Sequence, residues 1–321
     1  MPKVSVITIP YHKVHLIEPV FDAIFGQTHK DIEVLAVIND SRDGSMELIR
    51  EKYPAVKIIE SGYNAGFSEG NNIGIRSANG EFIQLVNDDL LLEPDYIEKM
   101  LQAFADPKVG AATGKLLRYD FMTKSKTKII DSTGIVMGSS GRAKDRGQLE
   151  EDRGQYDRET SVFGVSGAGP MYRKSALERI RYCDSGRCEY FDSDFFMYWE
   201  DVDLSWRLNR LGYRNVYVPE ALAFHGRTAG QSKGGYLHLW HFVRHHKTIP
   251  AFIRRLNYRN HILMYLKNRR FPHPVFLLRE KLMFLYLLLF EPSTLKVIPE
   301  LFRLIPGARA KFWDLEKRKP A

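Results

Sequence analysis

Apolar positions follow two alternating rhythms along the first third of the chain. Unbroken apolar or β-branched runs occur at residues 3–9 (KVSVITI), 33–38 (EVLAVI), 56–60 (VKIIE) and 81–86 (EFIQLV), and each reads as a strand. Between them, residues 16–25, 45–53 and 68–78 carry apolar positions at helical spacing, with Gly26 and Pro54 as stops for the first two. Strands alternating with helices predict an α/β fold with a parallel, doubly wound sheet and helices on both faces. Strands this apolar fit such a sheet, which is covered on both sides. The regularity breaks after about Gly114. Residues 118–160 are rich in Lys, Asp, Arg and Gly and predict long, partly mobile loops with short strands. Order returns at 161–165 (SVFGV) and 170–173 (PMYR), with a helix over 200–211 ended by Gly212 and a strand at 214–218. Beyond Gly235 the pattern changes to long helical stretches. The expected organisation is an α/β domain over 1–235, in halves of about 1–115 and 116–235, and a helical extension over 236–321, with the boundary within 235–245.

Composition narrows the class. A chain of 321 residues, 44% of them hydrophobic, suffices for one large domain, or one domain plus an extension. The two cysteines, Cys183 and Cys188, lie close together in a polar stretch without the partners of a zinc site. A disulfide is one reading, and a reducing compartment is the simpler one. The N-terminal MPKVSVITIP is already strand-like and shows no signal-peptide pattern. The longest apolar run, residues 282–290, is nine residues, against the roughly 20 that span a bilayer. No transmembrane helix is expected. Charge is unevenly placed: from Tyr236 onward there are 17 Lys and Arg against 5 Asp and Glu, whereas the rest of the chain is net acidic. Such a tail suits an anionic partner, or is a solvated basic face.

The chemistry-bearing residues gather at strand ends. Pro10, Tyr11 and His12 follow the first strand, Asn39, Asp40 and Asp43 the second, residues 64–72 (NAGFSEGNN) the third, and Asn87, Asp88 and Asp89 the fourth. Each cluster alone is ordinary turn chemistry. Four on one edge of an open α/β sheet mark the crevice where such folds bind ligands. Tyr11 can stack on a base. Asn64, Asn71 and Asn72 offer amides to hydroxyl groups, and glycines such as Gly66, next to Phe67, let a backbone approach a ligand. No GxGxxG or Walker lysine loop is present, which leaves both dinucleotide and P-loop folds unsupported. Adjacent carboxylates at the end of a core strand repel one another unless a cation joins them. The NDD turn therefore predicts Mg²⁺ or Mn²⁺ held against a nucleotide diphosphate. Further on, Glu200, Asp201 and Asp203 open a helix between Trp199 and Trp206. Acids there can simply favour the helix dipole. An apolar setting can also raise a carboxyl toward general-base values. His225, near a late strand end, is a candidate second metal ligand.

These stretches together resemble the family 2 glycosyltransferases of the GT-A (Rossmann-like) fold, and within them the rhamnosyltransferase-like branch. The matching elements are VSVITIPYHK, Asp43–Ser45 (DGS), NAGFSEGNNIGI, QLVNDDLLLEPD, VSGAGPMYRK, FFMYWEDVDLSWRL and FHGRTAGQS, in the expected order over about residues 3–235. The resemblance implies a nucleotide-sugar site. Tyr11 would stack on the pyrimidine, Asp88 would sit beside the ribose or sugar, and Asp89 and His225 would hold the metal. Asp201 of the Glu200–Asp201 pair would be the catalytic base. Ser166, Gly167 and Ala168, with Trp199, would line the donor-sugar and acceptor pocket. Two departures bear on the nucleotide. Ile38 stands where relatives often carry Asp in the base-recognising turn, with Asp40 as the substitute, and His12 stands where Asn is common. The implied reaction is an inverting, metal-dependent sugar transfer from a dTDP- or UDP-linked donor, with rhamnose from dTDP as the preferred reading. The acceptor would be a glycan or polyprenyl-linked saccharide in cell-surface polysaccharide synthesis.

Competing readings differ in identifiable residues. A catalytically silent nucleotide-sugar or glycan-binding protein would have no need of a base at Asp201. Nucleic-acid binding by the basic tail lacks a reader motif. A sugar nucleotidyltransferase would carry a Gly-rich basic loop after the first strand. In the extension, the apolar stretch 276–290 with basic neighbours reads equally as a helix lying on an anionic membrane surface and as one packing on the catalytic domain or on a second subunit of a homodimer. The expected location is cytoplasmic, including the inner face of the cell membrane.

Overall fold

A computed structural model describes residues 3–319, apart from Ser185, 227–242 and 244–245. The expected boundary at 235–245 and the GRTAGQS part of the FHGRTAGQS stretch therefore lie largely outside the described residues. In chain order the first half runs β1 (Val4–Thr8), α1 (Val14–Phe25), β2 (Ile32–Ile38), α2 (Ser45–Lys52), β3 (Lys57–Glu60), α3 (Gly66–Ser77), β4 (Phe82–Val86), β5 (Leu90–Leu92) and α4 (Tyr96–Gln102). The second half runs β6 (Val109–Asp120), β7 (Ser125–Ser132), β8 (Ile135–Met137), β9 (Ala143–Asp145), β10 (Ser161–Val162), β11 (Met171–Arg173), α5 (Lys174–Ile180), β12 (Tyr182–Asp184), β13 (Arg187–Glu189), α6 (Glu200–Arg210) and β14 (Arg214–His225). Three helices close the chain: α7 (Ala251–Asn268), α8 (Pro274–Phe290) and α9 (Ile298–Lys317).

The main sheet has the order β10-β14-β6-β11-β4-β1-β2-β3. The pairs β3–β2, β2–β1, β1–β4 and β6–β14 are parallel, as the apolar runs predict, while β11 enters antiparallel between β4 and β6. β1 and β4 are buried at every position, with helices packed on both faces. Loop capping fixes the helix starts. Asp43 accepts from the Val14 amide at 2.9 Å and so caps α1 from the loop after β2. The α3 amides of Phe67 and Ser68 both donate to the carbonyl of Phe196, at 2.8 and 3.0 Å.

Three expectations change. Residues 118–160 hold more strand than the expected loops with short strands: β6 extends to Asp120, β7 runs Ser125–Ser132, and the short β8 and β9 follow before a turn-rich stretch. Their buried positions include Asp131, Ser132, Thr133 and Arg146, satisfied by hydrogen bonds rather than apolar contact, so apolar periodicity does not reveal them. β14 runs to His225, well past 218, with a register shift between Val218 and Leu222. Cys183 and Cys188 are disulfide-bonded, where reduced thiols were the simpler reading, because the β12–β13 hairpin places their Cα atoms 4.1 Å apart in register.

The C-terminal helices are built into the α/β body. Leu263 and Met264 of α7 and Leu301 and Ala308 of α9 share a core with Ile135, Phe195 and Val202. The fully buried Lys267 donates to Asp192 and Asp203, at 2.6 and 2.8 Å, and Arg207 pairs with Asp203 at 2.9 Å. Packing on the α/β body, one of the two readings of the extension, thus describes α7 and α9. α8 is different. Phe276 stacks on Tyr265 and Leu287 is buried, but Leu278, Leu282, Leu285 and Leu289 are 44–72% exposed.

Candidate active site

The carboxyl ends of β1, β2 and β4 open into a cleft of about 230 Å³. A relay of amides shapes one wall. Asn39 accepts from the Ala65 amide at 2.6 Å and donates to Asn64 at 3.2 Å, and Asn64 donates to the Tyr11 hydroxyl at 3.0 Å. Each amide uses one group to hold its neighbour, so the half-exposed Tyr11 ring is fixed at the cleft mouth. Gly66 and Phe67 line the cleft beside Phe196 and Met197. Gly66 has φ +66°, and an added Cβ would lie 2.5 Å from the Phe196 ring, so only glycine fits there. Asn71 also lines the cleft and donates to the Phe67 carbonyl at 2.9 Å.

Not every candidate reaches this cleft. Asn72 is fully buried away from it; its carbonyl accepts the Tyr190 and Phe191 amides and its amide donates to Phe191, Glu69 and Ser193. It clamps the segment after β13 to α3, a structural role in place of the expected ligand role. Asp40 is exposed in a turn, 3.4 Å from Arg42, and Pro10 is buried behind Tyr11; neither lines the cleft.

At the acidic turn the side chains converge. β5 pairs antiparallel with the end of β14, with Leu90 opposite His225, which brings His225 Nε2 to 3.1 Å from Asp89 Oδ1. His225 Nδ1 lies 2.8 Å from Asp131 Oδ2, a fully buried carboxylate on β7. Burial alone would lower the imidazole pKa, but Asp131 and Asp89 outweigh it and hold it up at about 9. Burial likewise acts to raise Asp89, and His225 and Lys13 overcome this to pull it well below the usual carboxylate range. Lys13 Nζ bridges Asp88 Oδ1 at 2.8 Å and Asp89 Oδ2 at 2.9 Å. Asp88 Oδ2 also accepts the Tyr11 amide at 3.1 Å. Asp88 is nonetheless raised, with burial as the largest cause. Among the described residues no three acidic, histidine or cysteine side chains form a ready-made metal cage. Two carboxylates and an imidazole converge here, with the Lys13 ammonium between the carboxylates, and a hard divalent cation at this turn would depend on phosphate oxygens for its remaining ligands.

A second pocket, of about 190 Å³, opens on the other side of Gly167 and is lined by Ser166, Trp199, Glu200 and Asp201 with Asn257 of α7. Asp201 Oδ2 accepts the Gly167 amide at 3.0 Å and Oδ1 accepts the Val202 amide at 2.8 Å. Glu200 is buried, its Oε2 has no hydrogen-bond partner among the described residues, and burial together with the Asp201 charge pushes its carboxyl well above the usual range. Asp203, third of the expected acids, is sealed in the ion-pair network with Arg207 and Lys267. Ala168 is core, and its carbonyl receives the Asn87 amide at 2.9 Å, tying the acidic turn to the Gly167 stretch. The segment before α6 is strained: Phe196, Tyr198 and Trp199 have φ of 63°, 69° and 74°. α7 holds it in place. Asn260 donates to the carbonyls of Phe195, Met197 and Tyr198, and Trp199 Nε1 donates to Asn257 at 3.2 Å.

Lys13, Asp131, Phe196 and Asn257 escaped the sequence reading. Lys13 sits in the quoted VSVITIPYHK stretch, but a lone lysine after a strand carries no mark. Asp131 lies in the stretch read as loop, and Asn257 beyond the expected domain boundary.

A mannosyltransferase from Pyrobaculum calidifontis, solved with GDP-Man and Mn²⁺, superposes with a TM-score of 0.53 at 19% identity, covering 98% of this chain and 74% of that one. The structure of GalNAc-T7 with UDP, GalNAc and Mn²⁺ superposes with a TM-score of 0.59 at 12% identity, over 82% of this chain and 47% of that one. The fold is thus that of the GT-A glycosyltransferases. Residues 5–181 match the model of glycosyl transferase family 2, and the chain belongs to that family. Among its relatives, the N-acetylglucosaminyl-diphospho-decaprenol L-rhamnosyltransferase of Mycobacterium tuberculosis is 26% identical over 243 residues, 70% of this chain and 76% of the relative. The poly-beta-1,6-N-acetyl-D-glucosamine synthase of Staphylococcus epidermidis is 24% identical over 69% of this chain and 49% of its own length.

Proposed function

We propose that this chain is an inverting, metal-assisted glycosyltransferase that moves a sugar from a dTDP- or UDP-linked donor to a hydroxyl of a glycan or polyprenyl-linked saccharide. Rhamnose is the preferred sugar, on the strength of the mycobacterial relative. The observation that carries the reading is the meeting of two pockets at Gly167. A Cβ there would lie 3.4 Å from both the Phe67 ring of the donor cleft and the Asp201 carboxylate of the second pocket. The donor lies along Tyr11 and the amide relay, with its anomeric carbon near that wall, and the acceptor enters beside Trp199. Asp201 takes the proton of the acceptor hydroxyl. The oxygen attacks the anomeric carbon from the face opposite the diphosphate, which departs with the bonding electrons and leaves inverted configuration. Glu200 is buried, and burial and the Asp201 charge disfavour its charged form. Asp89 and His225 would hold a divalent cation, which would supply charge neutralisation for the leaving diphosphate.

A thermal-shift panel of nucleotide sugars with Mn²⁺ or Mg²⁺ tests the reading. A true donor at 100 times its dissociation constant adds about 2.7 kcal/mol of stability. A panel flat for every nucleoside diphosphate and sugar derivative sinks it, and a product of retained anomeric configuration sinks the displacement step.

The exposed leucines of α8 support a further part of the reading: the protein works on the cytoplasmic face of the membrane, where a polyprenyl-linked acceptor resides. Among the described residues no helix is long and apolar enough to cross a membrane. α8 instead lays its leucine face on the lipid surface, with Lys281 on the same face and Arg269 and Arg270 just before it. A homodimer through the same face is the competing outcome, and it shows as a concentration-dependent mass in sedimentation without lipid.

A further inference from the structure

We propose that the lipid surface and the acceptor pocket are coupled: His261 and Tyr265 join α8 to two walls of that pocket, so docking of α8 resets the pocket beside Asp201 for a lipid-borne acceptor. The inference rests on the membrane and acceptor readings above and adds a physical link between them. Its basis is a buried junction on α7, where His261 meets three elements at once. Its Nε2 lies 3.2 Å from the Gly141 carbonyl, in the turn between β8 and β9. Its Nδ1 lies 3.0 Å from Arg279 Nη1 and 3.1 Å from Glu280 Oε1, both on α8. Its ring meets the Trp199 indole edge-on, with centroids 4.8 Å apart. Burial holds the imidazole below its usual pKa, and a neutral ring protonated at Nε2 donates to Gly141 and accepts from Arg279. One turn along α7, Tyr265 repeats the connection. Its ring stacks on Phe276 of α8 with centroids 3.7 Å apart, and an added Cβ at Gly141 would run into the same ring.

The two ends of this junction differ in how they are held. Within α8 only Phe276 and Leu287 are buried, so the helix is joined to the body along one narrow side. On the pocket side, Ala143, Lys144 and Asp145 of β9 form one wall and Trp199 another. Trp199 has φ 74°, a strained conformation that persists only while its surroundings impose it. Those surroundings are Asn257 and His261 on α7. Leucines taken up by a lipid surface fix α8 in the plane of the interface. A shift of Phe276 or Arg279 then acts on the Trp199 ring and on the β8–β9 turn through side chains already in contact. By linkage, a ligand seated in the pocket favours docking by the same factor as docking favours the ligand. The consequence is selection: a saccharide carried on a lipid meets the docked pocket, and a soluble one meets the undocked pocket.

Trp199 is itself the probe. Trp206→Phe, Trp240→Phe and Trp313→Phe together leave it the only tryptophan, with circular dichroism confirming the fold. Vesicles of phosphatidylcholine and phosphatidylglycerol are then titrated in. Docking is expected to shift Trp199 emission and to change its quenching by acrylamide about twofold, while brominated lipid leaves it unquenched. His261→Leu and Phe276→Ala in this background, each confirmed folded, are expected to float with the vesicles as the parent does yet lose the Trp199 response. A parent that floats with Trp199 unchanged overturns the coupling and leaves the docking reading standing. A response that survives both substitutions overturns the route through α7, as does quenching of Trp199 by brominated lipid, which marks direct lipid contact. Failure to float overturns the inference together with the membrane reading, and turnover of Asp201→Asn then still tests the acceptor pocket by itself.

Discussion

Glu200 and Asp201 are neighbours in sequence and opposites in setting. Asp201 lines the second pocket with its oxygens oriented by the Gly167 and Val202 amides, whereas Glu200 is enclosed with an unpartnered Oε2. Asp201→Asn is expected to lower turnover by roughly 10²–10⁴ while leaving donor affinity unchanged, measured by single-turnover assay and thermal shift. Glu200→Gln, which removes a charge that burial and Asp201 already disfavour, is expected to keep turnover within about threefold. A collapse in that variant would move the base to Glu200. Asp43 tests a structural carboxylate. Burial acts to raise its pKa, but hydrogen bonds from Ser45, Ser41 and the Val14 amide overcome this and lower it to about 2. A carboxyl lowered on folding stabilises the protein above its unfolded value, near pH 4, and loses that contribution as pH falls through about 2. Asp43→Ala should therefore cost about 1 kcal/mol at pH 7, with the gap to wild type narrowing below pH 4 in urea titrations. Tyr11, Asp89 and Asp201 stood out as candidates because of their residue types at strand and helix ends. Lys13 did not, because its importance comes only from the carboxylates opposite it.

At the scale of elements, the cleft at the ends of β1, β2 and β4 depends on a helix far along the chain. α7 pins the strained residues 196–199 through Asn260, and Phe196 in turn caps α3 and lines the cleft. Lys267 anchors the same helix between Asp192 and Asp203, all three buried. Lys267→Met is expected to destabilise the protein by about 3–5 kcal/mol, because it leaves buried carboxylates short of a counter-charge. A urea midpoint unchanged by that substitution would refute this account of the anchor. The strands and helices of the first half were legible because parallel core strands are apolar on both faces. Residues 118–160 were not, because β7 and the loop around Arg146 bury polar groups satisfied by partners distant in sequence. Asn72 misled for a related reason: an asparagine beside a glycine-rich turn looks like a ligand group until its amide is seen to clamp residues 190–193.

For the molecule as a whole, the basic extension and the leucine face of α8 lie together. Flotation with anionic liposomes should carry the full-length protein, and Leu282→Glu with Leu285→Glu should abolish it, while added salt weakens but does not remove it. Flotation unchanged by the double substitution would exclude α8 as the docking element.

The sequence alone determined the alternating α/β pattern, the acidic turn after β4, the aromatic and amide groups on the same edge, and the acidic start of α6. All of these are local: they follow from side-chain periodicity and from residue types at element ends. The tertiary structure alone decided which carboxylate is oriented and which is sealed, that His225 meets Asp89 and Asp131, that Lys13 bridges the acidic turn, and that α7 props up the cleft beside it. Those outcomes depend on pairings between residues 34 to 136 positions apart, such as Gly167 with Asp201 and His225 with Asp89. Such contacts form only when strand register and helix packing bring the partners together, and no local pattern encodes that distance.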